Sequence, residues 1–221
     1  MWKVLMGAVG CALICGSILG AEDKSLVAKW TFDQANGAVA KDSSGNGNDG
    51  QIHDAEYVKR GNGFALKFDG VKSYVDCGNK PSLLLDKAVT VSLWFCPDAV
   101  PEAEPALAVM GDLSYGLTYY KDGRTYWYIN NGGNNLGTPL IVGEWQYLVG
   151  AYDGKSMSLY VNGKLISSKD LTQPISCTGS LMMSLRGGSF LKGQLADVAI
   201  YNRALTAGEV AAMYKAGAVA K

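Results

Sequence analysis

Short runs of β-branched and aromatic residues recur along the chain at roughly 8–12-residue spacing, each closed by a glycine, asparagine or aspartate turn; this rhythm belongs to antiparallel sandwiches and barrels. The runs fall at 26–32, 65–68, 74–77, 89–95, 115–120, 124–129, 144–152, 157–161, 181–185 and 193–201. Asn162-Gly163 is the sharpest punctuation, because a type I′ turn needs two residues at positive φ. Asp69-Gly70, Lys121-Asp122-Gly123 and Asp153-Gly154-Lys155-Ser156 mark further reversals. No amphipathic stretch of helical length separates the runs, which excludes a βαβ architecture. One helix is expected at the end. Thr206 and Glu209 form a capping box, Val210, Met213 and Tyr214 follow as an apolar stripe, and Gly217 reads as the stop.

Composition narrows the class. Charged residues are 18% of the chain, below the roughly 25% of average soluble domains, and glycine, tyrosine and tryptophan number 28, 12 and 5, as in extracellular all-β domains. Twenty basic residues balance twenty acidic ones, so nothing supplies the cationic surplus a nucleic-acid binder needs. His53 is the single histidine, so a multi-histidine zinc site or a histidine-dependent triad is hard to build; in its polar turn it reads as solvated. Met1-Trp2-Lys3, an uncharged apolar run and Gly20-Ala21 have the layout of a secretory signal peptide over 1–21. The expected domain is therefore 22–221, exported to the periplasm or the extracellular space, with no membrane span after leader removal. Cys77, Cys96 and Cys177 lie in that domain and allow one bridge and a free thiol, or three small buried side chains.

Two stretches could carry chemistry. The turn at 42–50, Asp-Ser-Ser-Gly-Asn-Gly-Asn-Asp-Gly, combines flexible glycines with hard oxygen donors, the chemistry of Ca²⁺ or of a turn closed by its own hydrogen bonds. Asp197 stands inside an otherwise apolar strand and needs a partner there, a metal or a set of N–H donors. The second stretch runs through Tyr120, Tyr126, Tyr128 and Asn130, where aromatic faces and amides suit a sugar. Strand alternation sends Trp127 to the opposite side from Tyr126 and Tyr128, so some of these rings must be core. No Gly-x-Ser-x-Gly elbow and no alternating carboxylate run appears, and Glu144 stands alone before Trp145, so no catalytic group is assigned.

The ordered set of motifs resembles the bacterial laminin-G-like domains of the concanavalin A-like jelly-roll fold. Trp30-Thr31-Phe32-Asp33 and the 42–50 turn open it. Phe68-Asp69-Gly70, Val91-Ser92-Leu93-Trp94-Phe95, Gly143-Glu144-Trp145, Tyr152-Asp153-Gly154 and Leu159-Tyr160-Val161-Asn162-Gly163 follow in order. Leu195-Ala196-Asp197-Val198 through Asn202-Arg203-Ala204-Leu205-Thr206 closes it. The resemblance implies two antiparallel sheets packed as a sandwich, one of them concave, with a short C-terminal helix. It also implies a Ca²⁺ site held by Asp42, backbone oxygen near Gly45, Asn48 and Asp197, with Asp33 as a lesser contributor. By the same resemblance the domain binds a glycan or cell-surface polymer without catalysis. A structural or adhesive domain with a protein partner is the alternative, and a divergent polysaccharide hydrolase or lyase a more distant one. The chain departs from the family at Gln146, where a histidine is usual.

Overall fold

The computed structural model describes residues 23–33, 37–130 and 133–219; the leader expected over 1–21 lies outside them. Among these residues the strands are β1 (Leu26–Trp30), β2 (Val39–Ala40), β3 (Gly50–His53), β4 (Glu56–Arg60), β5 (Gly63–Asp69), β6 (Tyr74–Asp76), β7 (Val89–Pro97) and β8 (Ala106–Met110). They continue as β9 (Tyr115–Tyr119), β10 (Arg124–Ile129), β11 (Asn135–Pro139), β12 (Gln146–Tyr152), β13 (Ser156–Val161), β14 (Lys164–Asp170), β15 (Leu181–Ser184) and β16 (Lys192–Tyr201), and the helix α1 spans Ala207–Val219. All pair antiparallel, in two sheets. The first runs β14-β13-β12-β7-β16-β5-β4, with β1 also on β16, and the second β11-β10-β9-β8-β15-β6-β3-β2. This is the expected all-β jelly-roll sandwich with one C-terminal helix.

Alternation explains the layers. In β7, Val91, Leu93 and Phe95 enter the core between the sheets, where they meet Trp30, Phe68, Leu117, Trp127 and Leu148. Trp94 points the other way, into a second apolar layer with Tyr147, Val149, Tyr201 and Val210. That layer lies under α1, so β7 is buried on both faces and reads as an almost continuous apolar run. The outer face of the second sheet carries only a small apolar cluster, Ala106, Val109 and Tyr128 with Met182 against it. No helix among the described residues is long and apolar enough to cross a membrane.

The turn chemistry works as the residues suggest. Asn162 and Gly163 sit at φ 50° and 78° between β13 and β14. Asp153 Oδ1 accepts the Lys155 and Ser156 N–H groups at 2.8 and 2.7 Å, which closes the β12–β13 hairpin. At α1, Thr206 N–H donates to Glu209 Oε2 at 2.7 Å, and Glu209 N–H donates to Thr206 Oγ1 at 3.3 Å. Arg203 pairs with both Glu209 and Asp23 and, with the Thr206 donors, holds the Glu209 carboxyl at about 2. Gly217 is not the stop: α1 continues through it, and a Cβ there would stand 2.5 Å from Trp94 Nε1. The glycine lets the helix lie directly on the indole.

Candidate functional site

The 42–50 turn is closed upon itself and upon β1. Asp42 Oδ1 accepts the N–H groups of Lys29 and Ser44, both at 2.9 Å, and its Oδ2 accepts the Asn48 N–H at 2.8 Å. Asn48 is fully buried; its Nδ2 donates to Val27 O at 2.8 Å and its Oδ1 accepts from Ser82 Oγ at 2.7 Å. Trp30 Nε1 donates to Asn48 O at 3.0 Å, which locks the turn to a core indole. Gly45 is exposed at φ 86°, serving the reversal. Lysine ammonium groups take the outward oxygens: Lys41 Nζ binds Asp49 Oδ2 at 2.6 Å, and Lys80 Nζ binds Gly47 O.

Asp197 is placed differently. It sits at φ 49° where the β16–β7 register shifts between Ala196 and Ala199, a bulge that turns its carboxylate toward Arg60 Nη1 at 3.1 Å. The Arg60 guanidinium is sandwiched between Trp94 and Trp145, 4.6 Å from each ring centroid. Burial raises the Asp197 pKa against the pull of Arg60, and lowers that of Arg60 against the pull of Asp197.

The carboxylates expected to hold Ca²⁺ are thus engaged within the protein, Asp42 by backbone N–H groups and Asp197 by Arg60. The ion needs about 6–8 oxygen lone pairs around one point, whereas Asp42 is ringed by N–H donors and Asp197 faces a guanidinium. Chelation with EDTA is expected to leave the melting temperature unchanged in calorimetry; a fall that added calcium reverses would contradict this reading.

The aromatic stretch divides as alternation requires. Trp127 is buried in the core, with Nε1 donating to Ala151 O at 3.3 Å. Tyr126 lies on the outer face of the second sheet, where its ring covers Gly137 of β11 and its hydroxyl donates to Asp122 Oδ2 at 2.7 Å. Tyr120 meets Tyr126 edge to face at 6.0 Å. Tyr128, expected to contact ligand, is 3% exposed and lies under Arg186. Asn130 is also not a free contact. At φ 51° it clamps the segment before β15, with Nδ2 on Pro174 O at 2.8 Å and Oδ1 accepting the Ser176 N–H at 2.7 Å.

Around Tyr120 the structure adds residues that no motif singled out. A cavity of about 460 Å³ is lined by Glu102, Glu104, Asp112, Tyr120, Lys121 and Arg186. Arg186 Nη1 pairs with Glu104 Oε2 at 2.7 Å, its Nη2 donates to Asp112 O at 3.1 Å, and Thr118 Oγ1 donates to Glu104 Oε1 at 3.2 Å. Burial opposes the charge on Arg186, but Tyr128, Glu104 and Asp112 outweigh it and hold its pKa above the ordinary value. Burial drives the Tyr128 hydroxyl pKa up. A neighbouring cavity of about 600 Å³ shares Glu102, Ala103 and Ser189 with the first and adds Val71, Val100 and Phe190.

The other singled-out residues are structural. Cys77 and Cys96 are buried, and Cys177 is half-buried with its Sγ donating to Leu85 O at 3.1 Å. His53 is not a solvated turn residue: it belongs to β3 and stacks on Tyr74, with ring centroids 4.3 Å apart. Gln146 is buried and clasps the preceding loop, donating to Ile141 O at 3.0 Å and accepting the Ile141 N–H at 3.1 Å. Glu144 is exposed, and its described role is a backbone carbonyl accepting from Gln146.

Two stacked antiparallel sheets, with the cavity on the outer side of the second, define a concanavalin-type jelly roll. A laminin-G profile of the concanavalin A-like lectin/glucanases superfamily matches residues 69–211, and the chain belongs to that family. No curated protein matches it by sequence. Among solved structures, it superposes on domain 4 of AbnA, an extracellular arabinanase of Geobacillus stearothermophilus, solved with arabinotriose. The TM-score is 0.72 at 20% identity, over 86% of this chain and 98% of that domain. The receptor-binding domain of botulinum neurotoxin C/D mosaic serotype gives 0.71 at 14% identity, over 87% of this chain and 51% of that one. The Trypanosoma rangeli sialidase in complex with sialic acid gives 0.70 at 19% identity, over 89% and 33%. The chain thus spans about half the length of the toxin domain and a third of the sialidase. At these identities the likeness concerns the fold.

Proposed function

We propose that this is an exported, non-catalytic carbohydrate-binding module that takes its ligand on the outer face of the second sheet. The observation that carries the reading is the asymmetry of the sandwich. One outer face is closed by α1, while the other presents Tyr120 and Tyr126 beside a cavity walled by carboxylates and Arg186. Aromatic faces with a few fixed polar groups are the make-up of a small-ligand site. The arabinotriose held by the AbnA domain supports a sugar ligand for this fold. Glu104 is engaged by both Arg186 and Thr118, which suits an anchor better than a proton donor. A protein partner is the second reading, favoured by Val71 and Val100, which are 70% and 47% exposed at the adjoining cavity. Calorimetric titration against arabinan, xylan, galactan, polygalacturonate, cellulose oligomers and chitin oligomers tests the proposal. Saturable binding to at least one is expected; binding to none would reject the glycan reading in favour of the protein one.

A further inference from the structure

We propose that the glycan site continues across the second sheet to a second group of rings, so that the protein grips an extended stretch of a linear polysaccharide rather than one or two sugars; this rests on the carbohydrate-binding reading above. The second group is His53, Tyr74 and Phe190. His53 stacks on Tyr74 at 4.3 Å, and Tyr74 meets Phe190 at 6.3 Å. All three are half-buried, as Tyr120 and Tyr126 are. Val75 and Met183 enter the core, so alternation places Tyr74 on the outer face, the face that carries Tyr126.

Strand pairing sets both groups in one cross-strand row. His53 opposes Tyr74, and the β6–β15 register leads on to Ser184, which opposes Ala106. Ala106 opposes Thr118, and Thr118 opposes Tyr126. Four strand spacings separate β6 from β10, about 19 Å. The middle of the row, Ser184, Ala106 and Thr118, is small and fully buried. Thr118 Oγ1 donates to Glu104 Oε1 and the Leu191 N–H donates to Ser184 Oγ, so segments 98–105 and 185–191 lie against the sheet there. Both cavities are lined by those segments. One reaches Tyr120, the other reaches Phe190, and they meet at Glu102, Ala103 and Ser189. At the junction Glu102 is exposed, a carboxylate able to accept from sugar hydroxyls. The order along the face is thus rings, cavity, cavity, rings, a repeated site that matches a ligand repeating one chemical unit. A single sugar at Tyr120 would leave the second cavity and its rings unused.

The test is a calorimetric length series on the whole protein, with linear arabinan, xylan, galactan, polygalacturonate, cellulose and chitin oligomers of two to six sugars. For the class that binds, the hexamer is expected to bind at least about tenfold more tightly than the trimer, the return on a further set of ring contacts. A site confined to Tyr120 and its cavity would gain only the statistical advantage of several trimer registers within one hexamer. Any gain below tenfold would overturn the proposal while leaving a carbohydrate-binding module. Phe190→Ala in its loop and Tyr74→Ala in β6 are each expected to cut the hexamer-to-trimer ratio to that statistical value. A ratio unchanged in the variants that keep the wild-type circular dichroism would place the added contacts elsewhere and overturn the proposal. Failure of every oligomer to bind would overturn the carbohydrate reading beneath it as well.

Discussion

Gly150→Ala is expected to destabilise the domain by about 3 kcal/mol, at the upper end of overpacking costs, and to lower the melting temperature by roughly 6–12 °C for a chain of this size. Gly150 lies in the middle of β12, paired with Val91 of β7 and Leu159 of β13. The Trp127 indole crosses from the other sheet and lies flat on it: a Cβ at Gly150 would stand 2.2 Å from Trp127 Cδ2 and 2.3 Å from Cε3. The ring has nowhere to retreat, because it is fully buried and its Nε1 donates to Ala151 O. Gly133→Ala is the control, since a Cβ there has no neighbour within 4 Å; its effect should stay within about 0.5 kcal/mol. Thermal unfolding that shows Gly150→Ala no less stable than the control would mean that the sheets do not meet in this register.

Replacing Tyr120 and Tyr126 together by alanine is expected to weaken the cognate glycan at least about thirtyfold, the loss of a hot spot worth about 2 kcal/mol. Both rings are half-buried on the outer face, and neither belongs to the core between the sheets. Stability should therefore fall little while affinity falls steeply. Tyr214→Ala, beneath which Trp94 stacks at 5.7 Å on the helix-covered face, should do the reverse. Titration and calorimetry on both variants separate the two faces; equal binding losses would place the ligand elsewhere.

Much of the sandwich was legible because its turns are local chemistry. Asn162-Gly163, Asp153 and the Thr206–Glu209 box act through groups two or three residues apart, so their meaning survives without tertiary context. The separation of Trp127 from Tyr126 and Tyr128 followed from strand alternation alone. β8 went unread because Ala106–Met110 is buried throughout and follows a proline-containing loop, leaving no alternation to detect. The cavity was also out of reach. It depends on an ion pair between Glu104 and Arg186, which lie far apart in sequence and meet only across the β8–β15 pairing. The 42–50 turn shows the harder ambiguity. The same aspartates, asparagines and glycines build a calcium loop or a self-satisfied Asx turn, and the direction of the Asp42 lone pairs decides between them.

Hydrogen-exchange footprinting with a bound polysaccharide tests the central claim most directly. The account predicts slowed exchange in backbone segments 99–104, 111–128 and 185–190 around the cavity, with α1 and the 42–50 turn unchanged. Protection concentrated on α1, or at the 42–50 turn, with none around Arg186, would contradict it.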